Sequence, residues 1–155
     1  MVYDPSLIIR TQALRGLSTL VGICPECIPA PKTLDSSPSS QPNLSASDLL
    51  SIIPLRLMDN SPMVREAAAE LAGNLMSIPN SAFLPRLFKH LVNRVLDMQI
   101  SVRKRAVKSL QQILLLSEAS ELREGSAPLL SSKQRFEVCV TLLRRANDEA
   151  SVKVS

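Results

Sequence analysis

The sequence predicts an all-α solenoid of stacked helical hairpins. Apolar residues recur at three-and-four spacing, the period of one helix face, through most of the 155 residues. A turn followed by a helix start repeats after 38 residues. Aromatics make up only 3%, with no Trp, and there are 4 Gly, which argues against an all-β fold rich in tight turns and against a glycine-rich phosphate loop. The length suits one domain with a sizeable core rather than a two-domain enzyme.

The first helix is expected from Ser6 to Ile23, with Ile9, Ala13, Leu14, Leu17, Leu20 and Val21 on its apolar face. From Pro29 to Asp48 the chain holds four Pro and six Ser in twenty residues, a composition that buries too little surface to order itself, so a flexible insertion is expected there. Leu49, Leu50, Ile53, Leu57 and Met58 then mark a helix capped by Asp48 and kinked at Pro54. A turn at Asp59, Asn60 and Ser61 leads to Pro62, suited to a first helical position. Val64, Ala67, Ala68, Leu71, Leu75 and Ile78 form the next stripe. A second hairpin follows: Leu84, Leu87, Phe88, Leu91, Val92, Val95 and Leu96, a turn near Asp97, then Val102, Ala106, Leu110, Ile113 and Leu114. After a polar stretch from Ser117 to Ser132, Phe136, Cys139, Val140, Leu143 and Ala146 form a last apolar face, ending in a turn at Asn147 and Asp148.

The repeat is read by laying RLMDNSPMVREAA, from Arg56, over RVLDMQISVRKRA, from Arg94. Arg56 falls on Arg94, Asp59 on Asp97, Val64 on Val102, Arg65 on Arg103 and Ala68 on Ala106. The frame recurs at the start as Asp4, Ile9, Arg10 and Ala13, and at the end as Arg145, Asp148, Val152 and Lys153. A period near 40 of helix, Asp-containing turn and a helix opening Val-Arg is the pattern of a HEAT-type α-solenoid, in which each unit buries its stripe only against its neighbours. Asp4, Arg10, Asp59, Arg65, Asp97, Arg103, Asp148 and Lys153 are expected to be structural. The Asp would meet the open N–H groups of the second helix, and the Arg or Lys would reach that carboxylate or the next repeat's. The expected organisation is the second helix of a first repeat at 1–28, the insertion at 29–47, repeats at 48–79 and 80–117, a loop at 118–131 and an incomplete repeat at 132–155. Without polar capping repeats, the chain reads as a solenoid truncated at both ends.

A net charge of +4 allows acidic partners without requiring them. Three irregularly spaced Cys argue against a disulfide framework and fit a reducing compartment. No run approaches the roughly 18 apolar residues of a membrane span, and MVYDPSLIIR lacks the charged start and apolar core of a signal peptide, so a soluble intracellular chain without a membrane role is expected.

The basic character is concentrated in one stretch. Arg86, Lys89, Arg94, Arg103, Lys104, Arg105 and Lys108 stand against Asp97 alone, a local excess of six positive charges. With 102, 106, 110, 113 and 114 on the apolar face, Lys104, Lys108 and Arg105 are expected to face solvent. Arg86, Lys89, Arg94, Lys104, Arg105 and Lys108 are the candidate DNA- or partner-binding residues, able to track a phosphate backbone without reading bases. The alternatives are a contact for acidic protein segments or an ordinary solvated face. Arg103 belongs with the repeat frame, and the absence of aromatics disfavours stacking on single strands.

Cys24-Pro-Glu-Cys27 has redox or zinc spacing, but Cys139 and the only His, His90, make a poor remaining ligand set, and a helix rather than a strand precedes the motif. Two loop thiols are the expectation, with no metal and no cofactor. His90 has no neighbouring nucleophile to activate, and Glu66 and Glu70, four apart, read as a solvated face more than as a general acid and base. No nucleophile, base and orienting group appear together, so no enzyme and no small-molecule substrate are expected. Ser37 and Ser47, before Pro and Asp, are chance-level phosphate acceptors.

Three segments, RLMDNSPMVREAAAELAG, NRVLDMQISVRKRAVKSLQQI and LLRRANDEASVK, with the opening DPSLIIRTQALRGLSTLVGICPE, closely resemble the HEAT-repeat region of the cohesin-loader, Nipped-B-like adherin family of sister chromatid cohesion proteins. The likeness covers most of the chain outside 29–48, and exposed charges match as well as core positions. The resemblance implies a nuclear, chromatin-bound, non-catalytic scaffold that helps cohesin embrace double-stranded DNA. Members of that family are hook-shaped solenoids, far longer than this chain, that contact DNA, the cohesin kleisin and the ATPase heads, and stimulate ATP hydrolysis by cohesin without hydrolysing ATP themselves. The competing expectation is a generic HEAT adaptor for acidic protein segments with no DNA role; an enzyme built on the Cys pair comes third.

Overall fold

A computed structural model describes residues 6–27, 46–79, 83–121 and 129–152. Six α-helices appear among them: α1 (Leu7–Ile23), α2 (Ala46–Leu57), α3 (Pro62–Met76), α4 (Phe83–Arg94), α5 (Ile100–Glu121) and α6 (Ser132–Val152), with a single 3₁₀ turn at Pro25–Cys27. The described residues contain no strand. The structure is therefore the all-α solenoid the periodicity predicts. α1, α3 and α5 pack side by side in one layer, α2 and α4 pack on each other in a second, and α3 touches all four of these neighbours.

Central placement explains the composition of α3. Val64, Ala67, Ala68, Ala69, Leu71, Ala72, Leu75 and Met76 are all within 1% of complete burial. Small Ala side chains keep high helix propensity while letting helices approach on several sides. The approach is closest at Gly73, where an added Cβ would lie 2.6 Å from Ser109 Cβ and Oγ. The Ser109 hydroxyl donates to the Ala69 carbonyl at 3.2 Å, so this polar contact between α3 and α5 is satisfied. Pro62 opens α3 as its first residue, where its missing N–H costs nothing.

Several local expectations change. On α1, Ile9 and Leu20 are exposed, while Thr11 and Ser18 are buried. Asn74 on α3 donates to the Ser18 carbonyl at 3.1 Å and to Ser18 Oγ at 2.9 Å, and this polar contact accompanies the burial of Ser18 in place of Leu20. Asp48 lies inside the first turn of α2 rather than at its cap, because the helix already starts at Ala46; it then runs on through Pro54 to Leu57. The remainder of the expected insertion lies outside the described residues.

Helix α5 continues to Glu121, past the expected end near Ser117, since no Gly or Pro occurs before Gly125. Buried Ser117 accepts the Leu130 N–H at 3.1 Å, and Leu130 is itself fully buried, so the two ends of the expected loop are tied into the core. α6 passes unbroken through Asn147 and Asp148, where the repeat frame predicts a turn: no Gly or Pro interrupts Ser132–Val152. Its core contact is Val138, helped by Leu142, whereas Phe136, Cys139 and Leu143 are exposed. Met58 and Leu96, placed by periodicity on core stripes, are exposed at the hairpin turns.

Candidate functional site

At the hairpin turns the repeat frame becomes a ladder of ion pairs. Arg65, in the first turn of α3, donates from Nε to Asp97 Oδ2 and from Nη2 to Asp97 Oδ1, both at 2.9 Å. Its Nη1 donates to the carbonyls of Asp59 and Asn60 in its own turn, at 2.8 and 3.0 Å. Arg103 repeats the second half of this pattern, donating to the carbonyls of Asp97 and Met98 at 2.9 and 3.0 Å. One repeat earlier, Arg10 Nε approaches Asp59 Oδ2 at 3.4 Å. Each of these arginines thus ties one repeat's helix start to a turn.

The carboxylates complete the turns. Asp97 Oδ1 accepts the Gln99 N–H, and Asp59 Oδ1 accepts the Ser61 N–H, each at 3.0 Å. These are Asx turns that satisfy the residue just before the helix, rather than the first helical N–H groups the sequence suggested. Burial pushes the Asp97 carboxyl up, but the Arg65 hydrogen bond, the Gln99 N–H and the charges of Arg65 and Arg94 outweigh it and hold the group below the usual carboxylate range. Asp4 and Lys153 lie outside the described residues, and Asp148 sits within the continuous α6.

The basic run is divided between ion pairs and two helices. Arg94 turns back on its own turn, donating from Nη1 to Asp97 Oδ2 at 3.1 Å, as Arg56 does to Asp59 Oδ2 at 2.9 Å. Arg94 is thus a ladder residue, a role the sequence already hinted at by pairing it with Arg56. Arg105, expected to face solvent, reaches across to α3, with Nη1 3.3 Å from Glu70 Oε1 and Nη2 3.7 Å from Glu66 Oε1. Arg86 and Lys89 are exposed on α4, in the second layer, whereas Lys104 and Lys108 are exposed on α5, in the first. A run of sequence that folds into a hairpin is divided between layers, so local charge density in the sequence overstates local charge density on the surface.

Sequence periodicity missed an apolar rim beside the ladder. Met58, Leu96 and Met98 are 56%, 64% and 92% exposed around a groove that Asn60 and Asn93 also line. The available signal was Met98, a large apolar residue inside a turn.

The other candidate sites stay separate. Cys24 caps the C-terminal end of α1, Cys139 is exposed on α6, and Cys27 lies in the 3₁₀ turn. Half-buried His90 is on α4. Among the described residues no group of three or more His, Cys, Asp or Glu could hold a metal ion, and no helix is long and apolar enough to cross a membrane. Ser47 is exposed in the first turn of α2, and Ser37 lies outside the described residues.

Stacked hairpins tied by an Arg–Asp ladder define a HEAT-type solenoid. A family model described as a HEAT repeat associated with sister chromatid cohesion matches residues 32–72. Nipped-B-like protein A of Danio rerio is 33% identical over 150 residues, 97% of this chain. Nipped-B-like protein of Homo sapiens is 31% identical over 150 residues, again 97% of this chain, and Nipped-B protein of Drosophila melanogaster is 27% identical over 154 residues, 99% of it. The chain spans only 5%, 4% and 6% of the length of these three relatives. No solved structure matches. The likeness to Nipped-B-like proteins runs over nearly all of this chain and agrees with the resemblance read from its sequence.

Proposed function

We propose that this chain is a non-catalytic scaffold segment that contributes to cohesin loading and sister chromatid cohesion on chromatin in the nucleus, with Lys104 and Lys108 lying along a double-stranded DNA backbone. Its other surfaces would meet cohesin subunits, the kleisin and the ATPase heads. The matched HEAT family is associated with sister chromatid cohesion, which supports the setting. The DNA contact rests on one observation: Lys104 and Lys108 on α5, like Arg86 and Lys89 on α4, are exposed one turn apart on a single helix and form no ion pair with a described carboxylate, and the α5 pair lies in the layer that α1 and α3 extend. Two adjacent ammonium groups on a rigid helix suit sequence-independent phosphate contact, as a loader acting at many sites needs.

The test is duplex DNA affinity by fluorescence anisotropy across a salt series, on wild type and on Lys104→Glu plus Lys108→Glu, with circular dichroism on each. The expected result is a negative slope of log affinity against log salt, made shallower by about 1.8 when two phosphate contacts are lost, at unchanged helicity. A folded wild type with no salt-sensitive DNA binding would overturn the DNA contact and favour the adaptor for acidic protein segments.

A further inference from the structure

The 38-residue shift that aligns the two hairpins places Glu66 on Lys104 and Glu70 on Lys108. The outer stripe of α3 therefore carries two carboxylates where that of α5 carries two ammonium groups, and these helices are direct neighbours in one layer. Packed helices lie about 8–10 Å apart, close to the roughly 8 Å screening length at physiological ionic strength. Bare carboxylates at 66 and 70 would repel any phosphate seated on Lys104 and Lys108. Arg105 stands between them. Its backbone is on α5, adjacent to Lys104 and one turn from Lys108, while its guanidinium lies 3.3 Å from Glu70 and 3.7 Å from Glu66.

We infer that Arg105 is a positioning residue for anion binding: it acts by covering Glu66 and Glu70, not by touching the nucleic acid. This inference rests on the DNA reading above and assigns a separate role to a residue that the charge pattern alone groups with the ligands. Its half-buried guanidinium, held against Glu66 and Glu70 on α3, is the geometric ground. One cation facing two carboxylates leaves a residual negative charge on that side, so the anion is drawn toward the α5 side of the seam.

The deciding experiment compares wild type, Arg105→Ala, and Arg105→Ala with Glu66→Gln and Glu70→Gln, by duplex DNA anisotropy over the same salt series. Arg105→Ala should weaken binding about three- to fivefold at low salt, the size of an exposed charge coupling, and the loss should shrink as salt screens the uncovered carboxylates. The triple variant, which has no carboxylate left to cover, should regain at least wild-type affinity. It also decides the matter if Arg105→Ala fails to fold, which thermal melting on each variant reports. A slope shallower by about 0.9 in both Arg105 variants, or a triple variant that does not regain affinity, overturns the covering role and makes Arg105 a direct ligand or a purely structural residue. A wild type that does not bind DNA overturns this inference together with the reading it rests on.

Discussion

Arg65 and Asp97 are 32 residues apart in sequence and form a two-pronged ion pair, with both carboxylate oxygens 2.9 Å from the guanidinium. The carboxylate is almost wholly buried, its side chain 3% exposed, and two further groups, Arg94 and the Gln99 N–H, converge on it. A single Asp thus joins the α3 start to the next turn and shapes that turn as well.

Replacing Asp97 with Asn should lower unfolding free energy by about 3 kcal/mol, because it leaves Arg65 and Arg94 facing a neutral amide in a buried site. Asp59→Asn should cost less, since its contact across the repeat boundary, from Arg10, is single and 3.4 Å long. Urea denaturation of both variants checks the order, and an Asp59 cost above the Asp97 cost would contradict it.

The depressed Asp97 carboxyl also sets a pH dependence. Its folded form takes up a proton less readily than its unfolded form, so acidification favours the unfolded chain. The stability it contributes is fully present above the unfolded value of about 3.9 and is lost as pH falls below that through the lower folded value. The stability gap between wild type and Asp97→Asn should therefore hold steady from pH 7 to 5 and shrink below about pH 4. Denaturation midpoints at each pH measure it; a gap that widens in acid would refute the assignment.

Gly73→Ala would place a methyl 2.6 Å from Ser109 Cβ and Oγ and 3.4 Å from Ser109 Cα. A loss of about 1–3 kcal/mol is expected from overpacking, despite the roughly 1 kcal/mol helix-propensity gain. Adding Ser109→Gly removes the clashing side chain and should recover part of the loss, so a double-mutant cycle should show coupling. Additive effects would mean the helices simply move apart.

Ser117→Ala removes the acceptor for the buried Leu130 N–H. An unsatisfied buried donor costs about 1–3 kcal/mol, and the Leu130 amide should exchange with solvent faster than in wild type. Hydrogen exchange resolved at that residue is the check, with unchanged protection counting against the contact.

Charge reversal at Arg86 and Lys89, in the other layer from Lys104 and Lys108, should change duplex DNA affinity less than about twofold at physiological salt, where screening confines surface charge effects to roughly 8 Å. An effect as large as that of the Lys104 and Lys108 reversal would place both pairs on one path.

Much of this fold is legible because it is local and periodic. The α3 stripe, the Pro62 start and the alignment of Asp59 and Arg65 with Asp97 and Arg103 follow from spacing alone, since a HEAT unit repeats one solution to one packing problem. Less was legible at the ends of elements. At Ser117 and at Asn147 a polar composition resembled a loop, yet nothing there prevents helix continuation.

The sequence by itself determined the number and spacing of the hairpins and the presence of a concentrated positive charge, because periodicity and composition are one-dimensional properties. Only the tertiary structure decided which of those cations face solvent. Arg94 closes on Asp97 and Arg105 on Glu70 and Glu66, while Lys104 and Lys108 stay exposed. Arg94 finds its carboxylate three residues on in its own turn, whereas Arg105 goes to one that the neighbouring repeat brings within reach from 35 residues away along the chain.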